Sequence, residues 1–301
     1  MAGAKQAGEN RSGGIDAMKL GLALRVMGDA SRADVLLECA RTADQAGIDD
    51  LWVQDHIAIP PDDAEGSGGR YLDPLATVAW LAGTTETIGL GTGVLVAPYR
   101  RPLPTAKSIA TIQELSRGRL LLGVGAGWMG AEFRALGVDR GRRGQDTDAM
   151  LDLLRRCFDA EGDVVEENGQ AFLFRPRPPA PPIFVGGAGP HALQRAARYG
   201  DGWMPMGADP AQLAPEIDRL RDLAEGMGRP QPQVAALGGL PPNDPGRAAD
   251  LLNALGEVGV TRFIAGGRYS NASEFGHLVD TLTAARERLG KHKEPVDASN
   301  S

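Results

Sequence analysis

The rhythm of this chain limits its fold more than any other feature. A short apolar run followed by an amphipathic stretch recurs eight times. The runs are Leu20–Val26, Asp50–His56, Ile88–Val96, Leu120–Gly127, Ile183–Gly186, Gly202–Pro205, Val234–Leu237 and Phe263–Ala265. The amphipathic stretches are Arg32–Ala46, Pro74–Thr84, Pro104–Leu115, Asp146–Phe158, His191–Tyr199, Ala211–Glu225, Pro245–Leu255 and Ser273–Leu289. Near-continuous apolar runs belong to a parallel sheet buried on both faces, because a sheet with one wet face alternates apolar with polar. Eight such units between Leu20 and Leu289 predict one α/β domain, a single (β/α)8 TIM barrel, rather than an open doubly wound sheet.

Local signals agree with the helical stretches. Asp73-Pro74 pairs a capping carboxylate with a proline at the first helical position, and Ser31 and Ser273 are read as further caps. Gly47, Gly118, Gly200 and Gly259 are read as left-handed residues that stop helices. Two stretches break the rhythm. Gly127–Gln145 after strand four and Gly162–Pro182 before strand five are read as loop insertions, the second with Val164-Val165 and Ala171–Phe174 as a small hairpin. The barrel is expected over residues 18–289, with disordered polar tails at 1–17 and 290–301.

Composition narrows the partners. The chain has 301 residues, 42% of them hydrophobic, enough for one large core. A formal net charge of -7 argues against nucleic acid and against anionic membranes. No stretch has the apolar length of a bilayer span or a signal h-region. Cys39 and Cys157 lie mid-helix among Leu and Ala, as small buried hydrophobes. A cytoplasmic protein acting on a small molecule is expected.

In such a barrel, chemistry gathers at the C-terminal ends of the strands. Strand two ends in Trp52-Val53-Gln54-Asp55-His56, with Trp52, Gln54 and His56 on one face and Leu51, Val53 and Asp55 on the other. His56 is the candidate acid–base residue, since a neutral imidazole can take an alcohol proton as hydride leaves. Asp55 points the opposite way if the strand stays regular, which assigns it to a bound cofactor rather than to the histidine. Gly186 to His191 joins a strand directly to a helix, where backbone amides can approach an anion; a plain tight turn is the alternative. Trp52, Trp128 and Trp203 fall at or near strand ends, where they either plug the barrel mouth or wall a flat ring. Gly125 to Gly130 matches G-x-G-x-x-G, but the glycines run into Ala131–Leu136 and a loop, so the dinucleotide reading is rejected.

Absences count as well. Lysine occurs only at positions 5, 19, 107, 291 and 293, none at a strand's C-terminal end, which argues against Schiff-base chemistry. No His-x-His, His-Glu-x-x-His or Cys-x-x-Cys spacing points to a metal. An organic cofactor is therefore the expected source of reactivity.

Several blocks in fixed order carry a family resemblance. They are Leu51–His56, Asp73-Pro74-Leu75, Ile88–Pro98 with Tyr99-Arg100, Ser116-Arg117-Gly118-Arg119 leading to Gly123–Trp128, and Pro182–Gly189 with Gly200-Asp201-Gly202-Trp203. Together they resemble the luciferase-like flavin and deazaflavin oxidoreductases, which are (β/α)8 barrels. The Asp-His ending and the Ser-Arg-Gly-Arg block are most similar to members that use coenzyme F420. The resemblance implies that His56 sits beside the reactive ring and that Asp55 contacts the cofactor. It implies a cis peptide at Gly93-Val94, in a bulge behind the ring, and a phosphate held by Gly187, Ala188 and Gly189. Sugar-phosphate dehydrogenases of this kind carry a glutamate where this chain has Trp128. That departure leaves His56 as the expected proton-transfer group and argues against a sugar phosphate. Trp52, Trp128 and Trp203, with Met204 and Met206, suggest a more apolar substrate pocket. Arg100, Arg101 and Arg268 are read as surface salt bridges, with an acidic ligand group as the alternative.

The expectation is hydride transfer between F420 and a small organic substrate. The alternatives are an FMNH2-dependent monooxygenase served by a separate flavin or F420 reductase, and a non-catalytic (deaza)flavin-binding protein. The resemblance allows a homodimer, although no helix shows an unusually apolar outer face.

Overall fold

The computed structural model describes residues 18–159 and 162–291. Its first half runs β1 (Lys19–Ala23), α1 (Ala33–Gln45), β2 (Asp50–Val53), α2 (Pro74–Thr84), β3 (Gly89–Val96), α3 (Pro102–Leu115), β4 (Leu120–Gly125), α4 (Gly130–Leu136) and α5 (Arg143–Asp159). The second half runs β5 (Val164–Glu167), β6 (Gln170–Leu173), β7 (Ile183–Gly186), α6 (Gly189–Tyr199), β8 (Gly202–Met204), α7 (Pro210–Gly226), β9 (Gln233–Gly239), α8 (Pro245–Glu257), β10 (Arg262–Gly266) and α9 (Ala272–Lys291). The strands close into a barrel in the order β1-β2-β3-β4-β7-β8-β9-β10, with β10 back on β1 and every pairing parallel. This is the expected TIM barrel.

Alternation along the strands divides the core in two. Leu20, Leu22 and Leu24 of the β1 segment point outward into the helix layer, while Ala23, Trp52, Phe184, Met204, Ala235 and Ile264 fill the lumen. Low in the lumen, Asp50 pairs with Arg262 and accepts the indole N–H of Trp52. The Trp52 ring meets Phe184 edge-on, with centroids 5.7 Å apart at 85°. Gly91 is what admits this indole, since a Cβ there would come within 2.3 Å of Trp52 Cε3. The lumen is a packed floor, and the open space lies above it.

The Ser-Arg-Gly-Arg block proves architectural. Arg117 and Gly118 turn the chain with φ of 58° and 83°. Arg119 then clamps the α2–β3 connection, its guanidinium donating to Ala82 O, Thr85 O, Thr85 Oγ1 and Ile88 O at 2.8–3.1 Å.

Differences from the sequence reading are local. The β2 ladder ends at Val53, so Gln54 to His56 leave the strand. A helix, α4, does open after the strand-four glycines, though it is only seven residues long, and α5 begins at Arg143 rather than Asp146. Asp73 caps α2 through Ala76 N as expected. Ser31 instead donates to Gly28 O. Asn271, not Ser273, caps α9 by accepting from Glu274 N at 3.0 Å. Gly47, Gly118 and Gly259 are left-handed, whereas Gly200 has φ of -84° and is small for another reason: a Cβ would lie 2.9 Å from Ala196 O. The hairpin forms as β5 against β6 around Asn168-Gly169. Residues 1–17 and 292–301, which include most of the expected tails, lie outside the described residues, and α9 continues to Lys291.

Candidate active site

A cleft of about 810 Å3 opens above the lumen floor, at the C-terminal ends of β2, β3, β4 and β7. That size suits a cofactor together with a small substrate. Its sides come from the segments after β2 and β4, the β3 bulge, the β7–α6 turn and the start of α5.

His56 faces this cleft, and its partner is not Asp55. Nδ1 lies 3.1 Å from Oε2 of Glu132, a residue of α4 that is 1% exposed. Glu132 Oε1 accepts from Ile57 N at 2.5 Å and Ala58 N at 2.9 Å, and Oε2 also accepts from the Tyr99 hydroxyl at 3.0 Å. Burial works to raise the Glu132 carboxyl. The Ala58 and Ile57 amides, the charge His56 can carry and the Tyr99 hydroxyl outweigh it and hold the group below its ordinary value. An ionised carboxylate only accepts, so the neutral imidazole carries its proton on Nδ1 and keeps the Nε2 lone pair for the cleft. The imidazole is flanked by the rings of Tyr71 at 4.9 Å and Trp128 at 6.2 Å.

Glu132 is the functional residue that the sequence reading missed. Its helix is short, but Phe133 anchors it in a small apolar cluster with Val96 and Tyr99. That anchorage turns the neighbouring carboxylate inward beneath the His56 loop.

Asp55 lines the same cleft as His56 but takes different partners. Its Oδ1 accepts from Arg100 Nη2 at 3.0 Å, and its Oδ2 accepts from Arg100 Nη1 at 2.5 Å and Val96 N at 2.7 Å. Arg100 also reaches Asp73 at 3.0 Å. Burial pushes the Asp55 carboxyl up, while Arg100 and the Val96 amide pull it down. Arg100 was expected as a surface salt bridge; its side chain is 13% exposed and ties the β2, β3 and α2 segments together. Asp55 still touches the cleft, so a cofactor meeting it would share a carboxylate already engaged by protein.

The β3–β4 register shifts between Thr92 and Leu95, and the Gly93-Val94 peptide in this bulge is cis. Val94 is seated among glycines of two neighbouring strands. A Cβ on Gly125 or Gly186 would come within 2.6 Å of its methyl groups. The bulge therefore presents a smooth apolar wall to the cleft.

Across the cleft, Gly187 and Gly189 adopt φ of 124° and 74°, and α6 starts at Gly189 with no side-chain cap on its N-terminus. Arg143, His191 and Arg195 line the same end of the cleft, with Arg195 Nε held by Asp148 at 2.7 Å. Free amides at a helix start beside two guanidinium groups suit a phosphate. Gly187 and Ala188 line the cleft, and Gly189 is the first residue of the helix.

The three tryptophans separate. Trp128 is 68% exposed at the mouth and lines the cleft, with Met206 also at the rim. Trp52 belongs to the lumen floor, 2% exposed, and is not among the cleft-lining residues. Trp203 points outward into the helix layer and donates its indole N–H to Gly187 O at 2.8 Å, bracing the anion turn instead of walling a substrate. Parity explains it: Met204, one residue on, is the lumen-facing member of β8. Both cysteines are buried, and burial pushes Cys39 up to about 12 and Cys157 up to about 11, values that suit inert core thiols.

Residues 17–291 match the profile of the luciferase-like monooxygenase family. An uncharacterized protein of Mycobacterium tuberculosis is 30% identical over 250 residues, 76% of this chain and 83% of that protein. The F420-dependent hydroxymycolic acid dehydrogenase of the same organism is 34% identical over 188 residues, 59% of this chain and 50% of that enzyme. Among solved structures, the monooxygenase RslO1 from Streptomyces bottropensis superposes with a TM-score of 0.75 at 21% identity, covering 92% of this chain and all of that one.

Proposed function

The chain belongs to the luciferase-like monooxygenase family, and from that premise we propose that it is an F420-dependent oxidoreductase that exchanges hydride with a small alcohol or carbonyl compound. The pairing of His56 with buried Glu132 at the open end of the cleft carries this reading. Hydride can leave an alcohol carbon only as a proton leaves its oxygen, and this pair is built to take one. The F420-dependent relative at 34% identity supports the choice of cofactor.

The residues present fit the group. The Gly93-Val94 bulge would back its ring, and the turn at Gly187, Ala188 and Gly189, with Arg143 and Arg195, would hold its phosphate. When bound, the deazaflavin supplies a ring carbon that takes up or releases hydride. His56 Nε2 accepts the alcohol proton, and the imidazolium so formed stays neutralised by Glu132 through Nδ1. The Ile57 and Ala58 amides hold the Glu132 carboxylate in place during that change. Carbonyl reduction runs the same transfer backwards, His56 giving its proton to the oxygen. Trp128 and Tyr71 flank the imidazole and limit water beside it.

The test is a titration of the purified protein with F420 and with FMN, oxidised and reduced, followed by tryptophan fluorescence. Tight F420 and weak FMN binding are expected. The reverse order would transfer the site to flavin-dependent oxygenation, and binding of neither would remove the cofactor assignment altogether.

A further inference from the structure

Two neighbouring polar side chains, Arg25 and Gln54, take no part in the chemistry above. Gly21 and Ala23 of β1 face the lumen, the first against Asp50 and the second within the lumen cluster, so alternation brings Arg25 next on that face. The β1–β2 register pairs Gly21 with Asp50 and Ala23 with Trp52, and Leu24 N continues it by donating to Trp52 O at 2.8 Å. The same register sets Arg25 beside Gln54, a cleft-lining residue.

Arg25 is held but not neutralised. Its backbone N–H donates to the hydroxyl of buried Tyr269 at 2.6 Å, and its guanidinium carbon lies 6.0 Å from the Tyr269 ring centroid. Its charge acts on the hydroxyl of Tyr71, the ring packed on His56. Among the described residues no carboxylate pairs with Arg25. Its Nε is buried without a hydrogen-bond partner, and so is Oε1 of the adjacent Gln54. Of the cleft-lining arginines, Arg195 is engaged by Asp148 and Arg143 donates to Arg140 O, while Arg25 adjoins the lining through Gln54. A guanidinium N–H without a partner can donate to a carboxylate, and an amide carbonyl without one can accept from a hydroxyl.

We propose that Arg25 and Gln54 form a substrate subsite that binds a hydroxy acid, or the matching oxo acid, through its carboxylate and a hydroxyl. In the ring of eight strands β1 lies four places from β7, so this subsite faces the phosphate turn from the opposite wall. His56 follows Gln54 on the same side of the chain, which places the acid–base group within the span of a short ligand. The reading of this ligand as the substrate rests on the oxidoreductase function proposed above; the anion site itself does not.

The probes are 5-hydroxyhexanoate and its uncharged amide, titrated into the full chain without cofactor and followed by calorimetry. The acid is expected to bind at least tenfold more tightly than the amide. Arg25→Met should abolish that preference, Arg25→Lys should retain part of it, and Gln54→Leu should weaken acid and amide alike. Arg195→Gln, on the far wall, should leave the preference intact. The proposal is overturned if the wild type shows no preference, if the preference survives Arg25→Met, or if Arg195→Gln removes it instead. F420 affinity is measured alongside and should not change in Arg25→Met. Loss of F420 binding in the wild type would remove the cofactor assignment while leaving the acid-against-amide result to stand alone.

Discussion

Glu132→Gln replaces one oxygen by an amide nitrogen and reverses the hydrogen-bond sense at His56. The wild-type carboxylate accepts from Ile57 N and Ala58 N on one oxygen and from Tyr99 and His56 on the other. Glutamine keeps its carbonyl under the two backbone amides, because that anchorage is the stronger constraint on orientation. Its NH2 then faces Tyr99 and His56 as a donor. Imidazole answers by accepting at Nδ1 and carrying its proton on Nε2, the nitrogen proposed above as the base. Hydrogen bonds to a charged group are worth about 1.5–3 kcal/mol against about 0.5–1.5 for neutral ones, so the variant should lose roughly 2–3 kcal/mol of stability. That corresponds to a fall in Tm of about 5 °C for a chain of this size. The chemical cost is larger. Positioned acid–base groups contribute about 10²–10⁴-fold, and a wrong histidine tautomer in a serine protease costs about 10⁴ in kcat. Loss of about 10²–10⁴-fold in kcat with KM nearly unchanged is expected for F420-linked alcohol oxidation. A ¹⁵N correlation spectrum of the histidine rings gives the direct check: protonated Nδ1 at His56 in the wild type, protonated Nε2 in the variant. The same tautomer in both proteins would refute this assignment of roles, however far activity had fallen.

Other perturbations follow from the same structure. Glu132 titrates below its ordinary 4.5 in the fold, so its stabilising contribution is present above that value and is lost as pH falls through the lower folded pKa. The gap in urea stability between wild type and Glu132→Gln should accordingly be full at pH 7 and shrink in acid below about pH 4. Gly186→Ala puts a methyl 2.6 Å from Val94 Cγ1. It should cost about 1–3 kcal/mol in denaturant melts, and F420 binding should weaken as the bulge shifts. Arg262→Met leaves Asp50 buried without its partner and should cost about 3–5 kcal/mol, with Asp50→Asn in the same chain restoring part of the loss in thermal melts.

The eightfold repeat was legible because lumen and helix layers bury both faces of every strand, and that writes apolar runs into the chain. The separate partners of Asp55 and His56 agree with the split expected from alternation, although the ladder stops at Val53 and both residues line the cleft. Depth and partnership were not. Trp52 has the parity of His56 but sits one layer lower, on the floor, and Trp203 differs by a single residue from the lumen-facing Met204. Glu132 escaped because the family pattern places its acid at the residue after the strand-four glycines, which here is Trp128. A turn of helix places it four residues later, directly beneath the loop that carries His56. The available signal was an acid beside Phe133 in an otherwise ordinary insertion. Arg100 was misread because its two aspartates are 18 residues apart in sequence and meet only when β2, β3 and α2 pack.

The two amides held by Glu132 belong to Ile57 and Ala58, at the root of the long connection from β2 to α2. The carboxylate that orients the base is therefore also the latch of that loop. Any excursion that lifts the root off the latch strips His56 of its partner in the same movement. Loop position and imidazole orientation therefore hang on one carboxylate, so a ligand that pins Ile57 and Ala58 also pins the tautomer of His56.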